Sequence, residues 1–205
     1  MGYDPPVEAL SGHRHFSQAI AEGDGISIIV AVDGPEAVHA AQANGAEAIA
    51  LFAHAEGVRE ATELPLLWRG SGALEAAQAA GADAFVLDLD AFDEDELRAI
   101  HDAAADLGID CVVEVSTDEQ LERALEWVDP EIVLLVPDRD STAEADLEMV
   151  LRLLHDVPAG KLAVAAVAVM TREQVAELER AGVDAVIVRA GDDVAELVGG
   201  AAHGA

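Results

Sequence analysis

The chain has one cysteine, Cys111, set in the apolar run Cys111-Val112-Val113. With no second thiol, neither a disulfide framework nor a cysteine-based zinc site is possible, and a reducing, cytoplasmic compartment is expected. Cations are nearly as scarce: 11 basic residues, Lys161 the only lysine among them, stand against 41 acidic ones, for a formal net charge of -30. Such a surface repels phosphate backbones and anionic headgroups, so neither nucleic acid nor membrane is an expected partner. Membrane insertion is further disfavoured because no apolar run reaches the roughly 18 residues a spanning helix requires. The opening also does not join basic residues to an apolar stretch as a secretory leader does. No Gly-x-Gly-x-x-Gly follows the first apolar run, where Val32-Asp33-Gly34-Pro35 stands, and no phosphate-loop Gly-Lys-Ser/Thr occurs. Both absences weigh against open-sheet nucleotide binders.

The excess of acid has a physical consequence. Self-repulsion destabilises a compact state at low ionic strength and salt screens it, so a salt-rich cytoplasm accounts for the composition. A genome whose codons favour Ala, Asp, Glu, Gly and Val accounts for it equally.

At 205 residues the chain fits one domain, which can bury roughly 70% of the surface exposed by its unfolded form. A polar opening through Gly25, containing Pro5, Pro6, His13 and His15, gives way to a regular beat of apolar runs and amphipathic segments. The predicted strands are Ile26–Val32, Ala46–Phe52, Leu64–Trp68, Ala84–Leu89, Cys111–Val115, Ile132–Val136, Leu162–Val169 and Val183–Val188. Between them lie stretches with apolar residues at helical spacing, such as Asp95–Ile100 and Thr171–Leu178. Ser116-Thr117-Asp118-Glu119 and Thr171-Arg172-Glu173-Gln174 supply start signals, while Gly45, Gly81, Gly108 and Gly182 stand where helices should stop. Near-continuous apolar strands imply burial on both faces, and helices between them imply parallel pairing with right-handed crossovers. The fold expected is a single-domain (βα)8 TIM barrel with short loops over residues 26–198, after an N-terminal polar segment, 1–25, and before a frayed tail, 199–205.

The stretch Gly81-Ala82-Asp83-Ala84-Phe85-Val86-Leu87, then Asp95-Glu96-Leu97, Leu107-Gly108-Ile109-Asp110 and Val113-Glu114-Val115, resembles the indole-3-glycerol-phosphate synthase family. Asp138-Arg139-Asp140, Asp146-Leu147, Thr171-Arg172-Glu173-Gln174-Val175 and Ala181-Gly182-Val183-Asp184-Ala185-Val186 follow that family's order and spacing. The resemblance is good over residues 81 to 190 and looser over 16 to 80. It implies a phosphate-binding barrel and a carbon-carbon lyase of tryptophan biosynthesis, which closes an indole ring with loss of carbon dioxide and water.

The family's motifs are altered here. Its Glu-x-Lys pair ending the first strand falls on Ala31 and Asp33, and the lysine serving as general acid after the third strand falls on Arg69. Arginine stays protonated in proteins and is a poor proton donor. The glutamate of the fifth strand is retained as Glu114, with Ser116 in place of the histidine that follows. In the next motif Pro137 replaces an asparagine while Arg139 and Asp140 remain. The phosphate-binding Ser-Glu-Ser-Gly corresponds to Ala165-Ala166-Val167-Ala168, and the last strand leads into Arg189-Ala190-Gly191-Asp192. The resemblance therefore assigns Glu114 and Arg69 to the catalytic positions, while most other groups of the family's reaction are replaced here.

Residues two apart on a strand face the same way, so Glu114 indicates which positions enter the barrel mouth. Asp33, Arg69, Asp88, Glu114, Arg139 and Arg189 are the resulting constellation. One reading is a pocket for a small anionic or zwitterionic metabolite, held by Arg139, Asp88, Asp33 and Arg189, with Asp88 and Glu114 as a carboxylate pair. The other is a self-satisfied salt-bridge network that plugs a mouth no longer serving a substrate. For the whole chain, the alternative to a divergent lyase is a non-catalytic paralog that binds a small anionic metabolite or a partner protein. No cofactor is expected. No metal is expected either: Asp33, Asp88 and Glu114 could hold magnesium, but three nearby arginines argue against it. His54 with Glu56, and His13 with His15, read as ordinary loop and terminal residues. The run Asp93-Glu94-Asp95-Glu96 reads as the acid-rich first turn of a helix. Trp68 is expected to pack at a strand end. Helices adequate to cover the barrel imply a monomer or weak homo-oligomer.

Overall fold

The computed structural model describes residues 16–23, 25–71, 74–137, 143–167, 171–189 and 194–197. Eight parallel strands close into a barrel in sequence order: β1 (Ser27–Val32), β2 (Ala48–Leu51), β3 (Leu66–Trp68), β4 (Ala84–Asp88), β5 (Asp110–Val115), β6 (Ile132–Leu135), β7 (Leu162–Ala165) and β8 (Ala185–Arg189). Closure is made by β1 and β8, whose register runs from Ser27 opposite Ala185 to Ala31 opposite Arg189. Each predicted strand contains an observed one within its bounds or within a residue of them. The seventh is shorter than its apolar run because Ala166 and Val167 lie beyond the ladder.

The helices are α1 (Phe16–Ala21), α2 (Pro35–Ala43), α3 (Leu74–Ala79), α4 (Glu94–Leu107), α5 (Asp118–Trp127), α6 (Ala143–Asp156), α7 (Arg172–Ala181) and α8 (Val194–Leu197). Their ends follow the start and stop signals. The α4 and α7 helices open with full capping boxes, Asp93 with Glu96 and Thr171 with Gln174. The acid run at 93–96 is thereby accounted for by Asp93 capping α4. Gly182 ends α7 at φ 102°, a left-handed backbone that only glycine adopts without cost.

Strand alternation divides the apolar residues into two clusters. One face of each strand fills the barrel: Ile29, Ala48, Ala50, Leu67, Ala84, Val112, Leu134, Val164, Ala185 and Ile187. The other packs on the helices, where Val30, Leu51, Phe85, Val113, Leu135 and Val186 meet residues such as Val38, Leu97, Leu121, Leu153 and Leu178. Burial on both faces is why the strands read as unbroken apolar runs.

The polar opening contains a structural element of its own. Phe16 and Ile20, on α1, are fully buried members of the inner cluster. The Ser17 amide donates to Asp110 Oδ2 at 2.7 Å, tying α1 to the first residue of β5. That helix thus floors the barrel at its N-terminal end. Nearby, Asp83 accepts from Leu66 N and from Arg59 Nη1, both at 2.8 Å, and Asp184 accepts from Ala163 N at 2.7 Å. Each carboxylate fastens the start of the preceding strand. Ser27, on the inward face of β1 at this end, is fully buried, and its hydroxyl has no partner among the described residues.

Candidate functional site

The C-terminal ends of the strands form the mouth, where the inward-facing series emerges from the core. Beyond Ile29 and Ala31 comes Asp33; beyond Ala48 and Ala50, Phe52; beyond Leu67, Arg69; beyond Val86, Asp88; beyond Val112, Glu114; and beyond Ile187, Arg189. The two-residue period thus carries five of the six expected residues to one rim. The sixth, Arg139, lies outside the described residues.

Arg69 and Glu114 meet. Arg69 Nε donates to Glu114 Oε2 at 3.0 Å, and both side chains are partly exposed. The Arg69 backbone N–H donates to Leu51 O at 2.7 Å, continuing the ladder one residue past β3. Its guanidinium carbon stands 5.3 Å from the centre of the Phe52 ring, within range of a cation–π contact. Phe52 is 47% exposed, one of two large hydrophobic residues so exposed among the described residues. From sequence Phe52 reads as core, because it is an aromatic at the end of an apolar run. Its parity with Ala48 and Ala50 places it at the rim.

Asp88 and Glu114 are direct partners in the β4–β5 register, so the expected carboxylate pair occupies adjacent strands. The Asp88 side chain is exposed, and its Oδ1 accepts from Asp90 N at 2.9 Å. Asp33 is exposed just past β1, and Arg189 ends β8 beside Ala31. Among the described residues neither Asp33 nor Asp88 forms an ion pair. The complete salt-bridge plug is therefore not formed at these two carboxylates, and the direct pairing seen is that of Arg69 with Glu114.

Other described residues at the rim are apolar. Val136 is buried, and Ala31 and Ala166 are half-buried around the inner cluster. His54 and Glu56 are exposed in the segment after β2. No group of three or more His, Cys, Asp or Glu residues suited to a metal ion occurs among the described residues. Trp68 faces the helices and is buried, its ring lying so close to Gly70 that a Cβ there would clash with it. Cys111 faces outward too. Burial, and secondarily the Asp110 carboxylate, pushes its thiol from 9.0 up to about 12, which removes it as a nucleophile at neutral pH.

The model of the family described as indole-3-glycerol phosphate synthase matches residues 70–193. An indole-3-glycerol phosphate synthase of Salinibacter ruber is 38% identical over 113 residues, covering 55% of this chain and 41% of that protein. One from a Nocardioides species is 31% identical over 208 residues, covering 90% of this chain and 78% of the relative. The match thus spans less than half of the Salinibacter protein's length. Among solved structures, an N-acetylmannosamine-6-phosphate 2-epimerase from Clostridium perfringens superposes with a TM-score of 0.69 at 14% identity, covering 93% of this chain and 94% of that one. A thiamine phosphate pyrophosphorylase from Pyrococcus furiosus gives 0.60 at 18% identity, covering 84% and 94%. These structural likenesses establish the barrel and nothing about its chemistry.

Proposed function

The chain belongs to the indole-3-glycerol phosphate synthase family, and on that premise we propose that it is a divergent member whose mouth binds a small anionic or zwitterionic metabolite without carrying out the family's ring closure. The observation that carries this reading is the Arg69–Glu114 ion pair. By the resemblance, the family's general acid stands at position 69. A guanidinium there keeps the charge and withholds the proton. Bonded to Glu114 through Nε, it keeps its Nη donors for a ligand carboxylate, which arginine can grip in fork geometry. Phe52 and the half-buried Ala31 and Ala166 offer an apolar flank to the ligand's remaining carbon atoms.

The second reading is a lyase that retains Glu114 as its acid–base group. The β4–β5 register favours it, since adjacent carboxylates such as Asp88 and Glu114 are a pattern that proton transfer uses. An assay of indole-3-glycerol phosphate formation separates the two. The expected result is no turnover above the blank and no complementation of a tryptophan auxotroph. Turnover that disappears in Glu114→Gln would overturn the proposal in favour of the lyase.

A further inference from the structure

Strands β4 and β5 present Asp88 and Glu114 near their ends, and one side chain ties together the turns that follow them. Gln120, in the first turn of α5, accepts through Oε1 from Ser116 N at 2.7 Å and from Ser116 Oγ at 2.8 Å. Through Nε2 it donates to Asp90 Oδ2 at 2.7 Å. Because the Ser116 amide can only donate, the orientation of the glutamine is determined: oxygen toward Ser116, nitrogen toward Asp90. Asp90 in turn gives its backbone N–H to Asp88 and receives Arg123 Nη1 at 3.0 Å, while Arg123 Nη2 reaches Leu89 O at 3.2 Å.

Asp88, Asp90, Gln120, Ser116 and Glu114 therefore form a closed path, completed by the strand register that sets Asp88 opposite Glu114. A glutamine three residues after a threonine cap ordinarily returns to the cap's own N–H. Here Thr117 does cap Gln120 N, yet the glutamine side chain serves the residue before the cap. Helix starting alone does not account for that choice. The Asp90–Arg123 ion pair is itself substantially exposed and contributes little. Direction is supplied by the neutral amide, which has one donor end and one acceptor end to satisfy.

We propose that Gln120 is a positioning residue of the mouth: it holds the two turns as one unit and thereby sets how Glu114 meets Arg69. This deepens the reading of the mouth as a binding site, but its readout is the Arg69–Glu114 bond, which exists whether or not a metabolite binds.

The test is the Arg69 Nε–Hε resonance of the full chain in nitrogen-15 NMR. Gln120→Glu sets a second carboxylate against Asp90, and the turns should part. The Arg69 signal is expected to shift, and its hydrogen exchange to quicken by about tenfold as protection is lost. Adding Asp90→Asn to that variant rebuilds the path with one bond reversed. The amide introduced at 90 donates to the carboxylate introduced at 120, which still accepts from Ser116. Both the shift and the exchange rate should then return. Asp90→Ala, which removes the acceptor without adding charge, carries the same expectation for Arg69 should Gln120→Glu not fold. An unmoved Arg69 signal beside a lowered denaturation midpoint would mean a merely structural glutamine and overturn the proposal, as would a signal displaced in the single variant and not restored in the double. A wild-type mouth that binds no carboxylate would sink the proposed function and leave this prediction standing.

Discussion

Arg69 and Glu114 pair at 3.0 Å in a setting that water still reaches, so their attraction is screened and the pair stabilises the fold modestly. A double-mutant cycle with Arg69→Met and Glu114→Gln should give a coupling energy of about 1 kcal/mol by denaturant unfolding. A coupling several times larger would mean a dry, buried pair instead. Cys111 behaves differently because it is enclosed. Its thiol titrates higher folded, about 12, than at its ordinary 9.0. Above pH 9 the unfolded chain sheds that proton more readily than the folded one, so this contribution to stability is whole below pH 9 and declines as pH rises toward 12. Urea midpoints between pH 8 and 11 should fall more steeply in the wild type than in Cys111→Ala, and parallel slopes would refute the assignment. The rim positions are legible because strand parity is strict: with Glu114 inward, Asp33, Arg69, Asp88 and Arg189 share its face. Which of them touch was not legible, since that depends on stagger between strands and on loop geometry that a period of two does not encode. Gln120 was hidden for a related reason, as a polar residue in a helix's first turn already has a sufficient local role.

Among the elements, the strands were readable and α1 was not. Strands buried on both faces produce dense apolar runs, and glycine stops such as Gly182 frame them. The α1 helix is only six residues long and puts just Phe16, Ala19 and Ile20 out of water, too little for a helical period to emerge from polar surroundings. Its importance is out of proportion to that signal. Phe16 seals the floor of the inner cluster, so Phe16→Ala should cost about 3–5 kcal/mol through lost burial and an unfilled cavity. Ser27→Ala at the same end should have the opposite sign and raise stability by about 1 kcal/mol, since it deletes a buried hydroxyl that has no partner among the described residues. Chemical denaturation of the two variants side by side measures both. Absent nucleotide motifs and the number of units favour a closed barrel over an open sheet, and the β1–β8 ladder closes it.

At the scale of the whole molecule, 41 carboxylates cannot be matched by 11 basic residues, even with Arg59, Arg69, Arg98, Arg123 and Lys161 each already joined to an acid. The excess charge repels itself across the surface, and mobile ions screen it within about 10 Å at 0.1 M salt. The thermal midpoint should therefore climb between low salt and molar potassium chloride, and a flat response would remove self-repulsion as a determinant of stability. Closure of the sheet bears on a different hazard. Segments such as Ile28–Val32 and Ile132–Val136 have the uncharged, β-branched composition that stacks into intermolecular ribbons once its backbone groups are available. In the folded ring every strand is hydrogen-bonded on both flanks, so no row of amides and carbonyls is open to recruit a neighbour. Clumping then requires opening the ring first. It should be most acute near pH 4.1, where opened chains have also lost the mutual repulsion that keeps them apart.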